Sequence, residues 1–363
     1  MKALDKIQAA IRRKGADAFL VTQPENRRYL SGYKATDLSI AESSGALLVP
    51  RRGTPLLLTD SRYQLQAEKE APGLEVVLVK TSLLKALKTI LDRLEVRRLI
   101  FESHYFLHAT AVKLLALGQK QGIEMMPQSG IVEKLRIRKT REEINDIQRS
   151  VLMNESVFQE VYAHLQPGQT EREVALAIET TMIRKGAEAP AFPSIVASGP
   201  NAALPHATPT DRIIKKGETI IIDMGLKLAG YCSDMTRTVV LGAPDRKTEK
   251  IIRLVRRAQR AALKIIKAGI LARDADSAAR EVISAAGYGK NFGHGLGHGV
   301  GLAVHEPPSL NRIHRNKLQP GMIVTVEPGI YLPGWGGVRL ENMVVVEEKG
   351  CTILNQDTTF LDI

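Results

Sequence analysis

The chain has 363 residues, of which 44% are hydrophobic and 25% charged, with a formal net charge of +12. This length and composition exclude a disordered or low-complexity chain and leave room for two domains with ample core. Two cysteines, Cys232 and Cys351, with no C-x-x-C pair, exclude a disulfide framework and a thiolate metal site and fit a reducing, cytoplasmic compartment.

The N-terminal residues place Leu4, Ile7, Ala10 and Ile11 at helical spacing without an unbroken apolar stretch, which predicts a helix over 2–14 and not a signal peptide. No run reaches the roughly 18 to 20 apolar residues that cross a bilayer, so the protein reads as soluble and no membrane partner is expected. Short apolar runs follow at 18–22, 46–49, 55–59, 74–79, 98–101 and 122–126, interleaved with helical patterns at 61–70, 82–94 and 106–119. This alternation predicts a smaller α/β domain over 1–128. His104 and His108 lie four apart with no carboxylates or glycines beside them, and read as surface or satisfied core histidines. The polar, basic stretch at 129–139 reads as a linker.

From 140 to 363 the chain repeats itself. Helical segments at about 141–165 and 170–186 lead to strands within 218–241; helical segments at about 246–268 and 273–286 lead to strands within 321–347. LQPG at 165–168 resembles IKAG at 266–269, and KKGETIIIDMG at 215–225 resembles QPGMIVTVEPG at 319–329, so that Gly217 matches Gly321, Asp223 matches Glu327 and Gly225 matches Gly329. Within 246–267, Ile251, Leu254, Val255, Ala258, Ala262 and Ile265 form an apolar stripe, and Arg253, Arg256, Arg257, Arg260, Lys264 and Lys267 fall on the outward arc. This densest basic group reads as a solvated helix face. With only 4% aromatic residues to stack on bases, nucleic acid is not an expected partner.

Each half delivers a pair of acids. Asp223 and Asp234 flank a turn near Leu228 to Gly230, and a hairpin in which paired residues sum to 457 sets them directly opposite one another. Like charges so placed repel unless something positive lies between them. Glu327 and Glu341 repeat the arrangement around Gly334. Between the two pairs in sequence lies NFGHGLGHGVGLAVHE at 291–306, with His294, His298 and His305 among five glycines. Alternate glycines let backbone approach a ligand closely, and the imidazoles can converge on one cavity. The strict G-x-G-x-x-G spacing of a dinucleotide loop is missing. A purely structural glycine-rich loop, with each acid salt-bridged to Arg237 or Arg339, is the alternative. Two equivalent acid pairs plus a glycine-embedded histidine favour metal, and four carboxylates with one imidazole suit two divalent ions sharing a water or hydroxide. Oxygen-rich ligation favours manganese, cobalt or iron over a structural zinc, and leaves zinc open as an alternative.

At these residues the sequence resembles the pita-bread (M24-type) metallopeptidases, the family of aminopeptidase P, prolidase and methionine aminopeptidase. The matching pieces are IIDMGLKLAGYCSDMTRT, GHGLGHGVGLAVHE, VEPGIY and GVRLEN. RRYLSGY at 27–33 and LLTDSRY at 57–63 resemble the creatinase-type N-terminal domain of the aminopeptidase P and prolidase branch, which methionine aminopeptidases generally lack. The resemblance implies an α+β chain: a creatinase-type α/β domain followed by a pita-bread domain with an internal two-fold repeat and a curved antiparallel sheet. It puts Asp223 on one metal, Asp234 and Glu341 between two metals, and His298 with Glu327 on the other. It makes His206, in NAALPHA, a substrate contact beside the metals, lines the proline side with His294 and His305, and gives Arg339 to a metal-ligating carboxylate. Asn342 departs from the aspartate of many relatives, which touches hydrogen bonding around the ligands.

The expected activity is hydrolysis of the Xaa-Pro bond of short peptides with proline second, through a metal-bridging hydroxide, with Glu327 moving the proton and His206 and His305 stabilising the oxyanion. Trp335 is a candidate wall of the proline pocket, or an exposed turn residue. A homodimer is expected from the resemblance. Two alternatives stand beside this reading: a metal-free binding module of the same fold for nucleic acid or protein, and a same-fold hydrolase of a non-peptide C–N bond.

Overall fold

The computed structural model describes residues 3–362, so Lys2, where the expected N-terminal helix begins, lies outside the described residues. The chain divides into two compact units, Met1–Arg136 and Ile137–Ile363. The segment 129–139 expected as a linker carries the helical turn Glu133–Arg136 and contains the division.

The first unit is a six-stranded mixed sheet in the order Glu75–Leu78, Leu56–Thr59, Ala46–Pro50, Ala18–Val21, Arg98–Glu102, Glu124–Gln128. Strand residues alternate between two cores, as the two-residue period of a strand requires. Leu20, Leu48, Leu58 and Leu99 pack with Leu87, Leu91 and Leu114 of the helices on one face. Phe19, Leu47 and Ile100 pack with Ile7 and Ile11 of Ala3–Arg13 on the other. The sequence reading missed the helix Pro24–Ser31, although its signals are present: Pro24 opens it and Gly32, at φ +78°, ends it. The last strand starts at Glu124 and not at 122, because Gly122 at φ +66° caps the preceding helix.

The second unit is built twice over. Helices Arg141–Ala163 and Glu171–Arg184 pack on strands Ile195–Ser198, Thr219–Met224 and Met235–Val240 through Phe158, Ile178, Ile220, Ile222 and Val239. Helices Arg246–Ile265 and Ala272–Ala285 pack on Ile323–Val326 and Asn342–Val346 through Val255, Ala258, Ala279, Val324 and Val344. Capping boxes of Thr140 with Glu143 and Thr170 with Glu173 start the first two helices. The repeat extends to single hydrogen bonds. Gly168 N donates to Ile214 O and Gly269 N to Leu318 O; Gly217 N donates to Leu241 O and Gly321 N to Val346 O. All four glycines have φ between +82° and +100°, where a side chain would be strained. Every ladder in this unit is antiparallel. On the basic helix, Ile251, Leu254, Val255, Ala258 and Ala262 are buried, and Arg253, Arg257, Arg260 and Lys264 are exposed.

The expected pairing of Asp223 with Asp234 needs correction. Ala229 and Gly230, at φ +50° and +87°, form a two-residue turn closed by Leu228 opposite Tyr231, which moves the hairpin axis by one residue. Asp223 therefore faces Thr236, and Asp234 sits two residues earlier on the same side. The second ribbon follows the expected register: Val326 pairs with Asn342 and Gly329 with Arg339, which brackets Glu327 and Glu341.

The 291–306 stretch also differs from expectation, because Gly295, Gly297, Gly299 and Gly301 meet the chain's own atoms. Gly297–Gly299 is a strand between Glu306–Leu310 and Ile323–Val326. A Cβ on Gly297 would collide with the Thr325 carbonyl, and one on Gly299 with the carbonyls of Glu306 and Pro307. Among the described residues, no helix is long and apolar enough to cross a membrane.

Candidate metal centre

The two ribbons meet edge to edge. Glu341 N donates to Thr236 O (3.1 Å) and the Thr236 hydroxyl donates to Glu341 Oε2 (2.8 Å). This brings the acids of both halves, with His298 from the adjoining strand, to the floor of one cavity of about 520 Å³. His298 Nε2 lies 3.6 Å from Asp234 Oδ2 and 3.3 Å from Glu327 Oε1. Ligating atoms of Asp234, His298 and Glu341 all lie within 4.8 Å of one another.

Crowding and burial show in the proton affinities. Burial, then Glu341 and Asp223, push the Asp234 carboxyl well above its ordinary range; burial, then Glu327 and Asp223, do the same to Glu341. Glu327 is pushed up to about 7, chiefly by burial. Burial lowers the affinity of His298 for a proton, and its Nδ1 donates to Gly299 O (3.1 Å), which leaves the Nε2 lone pair aimed at the carboxylates.

Salt bridges do not neutralise this cluster. Arg237 is fully buried but pairs with Asp357, at 3.1 Å. Arg339 Nη2 binds Asp223 Oδ2 at 2.6 Å and reaches none of the other three acids within salt-bridge distance. Two buried oxygens, Asp223 Oδ1 and Glu341 Oε1, have no hydrogen-bond donor. A buried carboxylate oxygen without a donor is costly, so the donor set fits divalent cations, which would satisfy both orphans and offset the repulsion.

The histidines expected at the substrate also line this cavity. The His305 ring packs against that of His298, with centroids 4.3 Å apart. His206 is exposed within the cavity. His294 is more constrained: its Nδ1 donates to Gly295 O (2.7 Å) and its Nε2 accepts from the Tyr331 hydroxyl (2.9 Å), which in turn accepts from Arg339 (2.8 Å). Burial, then Arg339, lower the His294 pKa to about 4, and burial raises that of Tyr331 to about 12, so His294 is neutral and Tyr331 a donor.

Phe192, Pro193, Ile195 and Pro205 give the cavity apolar lining, and Ser309 and Asn311 give it polar lining. Trp335 is not part of it: its ring is half-buried against the second core with Lys247 Nζ 4.6 Å above it. The sequence reading missed Thr236, Thr325 and Tyr331. The first two were accessible through strand periodicity, since each lies two residues from an acid and so on its face. Thr325 donates to Glu327 Oε1 at 3.0 Å.

Residues 145–348 match metallopeptidase family M24, and residues 4–138 match the creatinase/prolidase N-terminal domain. An Xaa-Pro dipeptidase of Pyrococcus horikoshii is 34% identical over 338 residues, covering 92% of this chain and 91% of the relative. Among solved structures, an Xaa-Pro dipeptidase from Bacillus anthracis superposes with a TM-score of 0.91 at 35% identity, over 99% of this chain and 98% of the other. An X-Pro aminopeptidase from Thermotoga maritima MSB8 superposes with a TM-score of 0.90 at 36% identity, over 98% and 97%.

Proposed function

The chain belongs to metallopeptidase family M24, and from that premise we propose that it hydrolyses the Xaa-Pro bond of dipeptides or peptide N-termini at the carboxylate cluster on its cavity floor. It is a metallo-exopeptidase that works with divalent metal. The reading rests on one observation: acids from both repeats converge with His298 Nε2 and leave Asp223 Oδ1 and Glu341 Oε1 without donors.

We assign two ions, manganese or cobalt before iron or zinc, to Asp223, Asp234, His298, Glu327 and Glu341. Bound divalent cations supply the Lewis acidity that activates water and polarises the scissile carbonyl. The protein supplies the rest. Glu327, steadied by the Thr325 hydroxyl, takes a proton from the attacking water and passes it to the leaving imino nitrogen. His206 and His305 donate to the developing oxyanion. Arg339 fixes Asp223, and Tyr331 fixes the His294 ring at the side of the cavity that receives proline. The Phe192, Pro193 and Ile195 wall suits a ring that has no N–H to satisfy. A homodimer and a cytoplasmic location complete the reading.

One panel tests it. Metal-stripped protein is reloaded with manganese, cobalt or zinc and offered Xaa-Pro, Xaa-Pro-Yaa and Xaa-Ala peptides. Metal-dependent cleavage of the proline peptides alone is expected. Failure to take up stoichiometric metal favours a binding module, and equal cleavage of Xaa-Ala removes proline specificity.

A further inference from the structure

We infer that Lys139 and Glu306 are a positioning pair that holds His305 over the metal centre, an inference that rests on the oxyanion role proposed for His305. Lys139 Nζ lies 2.6 Å from Glu306 Oε1, and the two side chains are only 1% and 6% exposed. Neither residue is among the five proposed ligands or the cavity lining. A buried ion pair of this kind adds little net stability over apolar residues of the same volume, so its presence beside an active site calls for a geometric reason.

That reason lies in the 300–305 loop. His298 and His305 stand at its two ends, and the loop folds back so that Glu306 pairs with Gly299, just past a register shift between His298 and Gly299. Gly301 N donates to Ala303 O at 3.0 Å inside the loop, and the Glu306 carboxylate fills the space where a Gly301 side chain would be. The His305 ring makes no hydrogen bond among the described residues. It packs against the His298 ring, with centroids 4.3 Å apart and 65° between the planes. Glu306, the next residue, opens the strand Glu306–Leu310, and Lys139 holds its carboxylate from outside the loop.

Lys139 is itself held. Its N–H donates to Gly321 O at 2.8 Å, and Gly321, at φ +82°, opens the strand that delivers Glu327. One lysine therefore ties the strand carrying Glu327 to the loop carrying His305, so the two groups that act on opposite ends of the scissile bond keep a common frame. A misplacement of about 1 Å in such a group costs up to about a hundredfold in rate.

The test is a double-mutant cycle between Glu306→Gln and His305→Ala, assayed below the melting transition of every variant with metal content measured alongside. Glu306→Gln is expected to lower kcat about tenfold, with KM and bound metal unchanged, and to have no further effect in the His305→Ala background. Equal losses in both backgrounds would mark a structural role and overturn the inference, as would an undiminished kcat in Glu306→Gln. If His305→Ala alone leaves kcat intact, the oxyanion reading falls, and the inference with it. Should Glu306→Gln fail to fold, the combination with Lys139→Met removes both buried charges at similar volume, and the same cycle is run on that background. Lys139→Arg, which keeps the charge, is expected to recover most of the kcat that Lys139→Met loses.

Discussion

Thr236 donates its hydroxyl to Glu341 Oε2 at 2.8 Å while lying directly opposite Asp223 in the first ribbon. The same hydroxyl accepts from Arg339 Nε at 3.1 Å. One small side chain thus joins Glu341 of the second repeat to the arginine that holds Asp223 of the first. Thr236→Val keeps the shape and removes the hydroxyl, leaving a buried acceptor and a buried donor unmatched. Metal affinity is expected to fall by about 10- to 100-fold with the fold intact. Titration of the metal-stripped variant checks this; wild-type affinity would show that Thr236 does not orient Glu341.

The crowded acids make the metal-free protein sensitive to pH. Folding raises the pKa of Asp234, Glu341 and Glu327 above their ordinary values of 3.8 and 4.5, Glu327 to about 7. A group whose pKa rises on folding contributes stability that is complete below its unfolded pKa and is lost as pH climbs through the folded one. In chelator the melting temperature is expected to fall between pH 5 and pH 8. Saturating manganese should reduce or reverse that slope, because cations favour the ionised acids. A flat melting profile in chelator would contradict the cluster.

Glu327 carries two proposed roles, ligand and proton carrier, and Glu327→Gln separates them from the roles of its neighbours. The amide keeps one coordinating oxygen but cannot take a proton. Turnover is expected to fall by about 10²- to 10⁴-fold, more than any change in metal content explains. Parallel measurement of kcat and bound metal decides it. A loss of rate matched by loss of metal would leave Glu327 as a ligand only.

Much of this architecture is legible in the sequence because its signals are local. Gly217 and Gly321 mark the same left-handed position in both repeats, and alternating apolar residues such as Phe19 and Leu20 mark a strand buried on both faces. What escaped rests partly on an unusual local conformation and partly on contacts distant in sequence. The Asp223 register hinges on a left-handed Ala229, a conformation that alanine rarely adopts and that composition does not announce. The strand Gly297–Gly299 is hidden because glycine is depleted in strands, and only the neighbouring carbonyls show why nothing larger fits. Likewise residue spacing alone does not distinguish Arg339, which reaches Asp223, from Arg237, which pairs with Asp357; only the resemblance singles out Arg339.

Trp335 packs against Lys247 and the second core, whereas Phe192 lines the cavity. Trp335→Leu is expected to leave KM for an Xaa-Pro peptide within about twofold, since it removes stacking and core contact but no cavity wall. Phe192→Ala, which strips the apolar wall, should raise KM about tenfold, a loss in keeping with removing a few buried methylenes from a ligand contact. Steady-state kinetics on both variants checks the contrast. A larger KM effect at Trp335 than at Phe192 would relocate the proline pocket.

Arg237 explains why the C-terminal segment matters to the metal centre. Its Nη1 donates to the carbonyls of Thr236 (3.0 Å) and Glu341 (2.7 Å), at the seam between the repeats, while Nε and Nη2 bind the side chain and carbonyl of Asp357. Glu155 Oε1 accepts from the backbone N–H groups of Gln356 and Asp357 and so holds that segment in place. Burial pulls the guanidinium below its ordinary proton affinity, and Asp357 opposes that pull. Asp357→Asn keeps the volume but leaves a buried cation without its counter-charge, a change that costs about 3 to 5 kcal/mol. Its melting temperature is expected to fall sharply in chelator and to recover in part with saturating metal, because ligand binding to the folded state restores stability by mass action. An unchanged melting temperature in chelator would show that the seam is held by the ribbons alone.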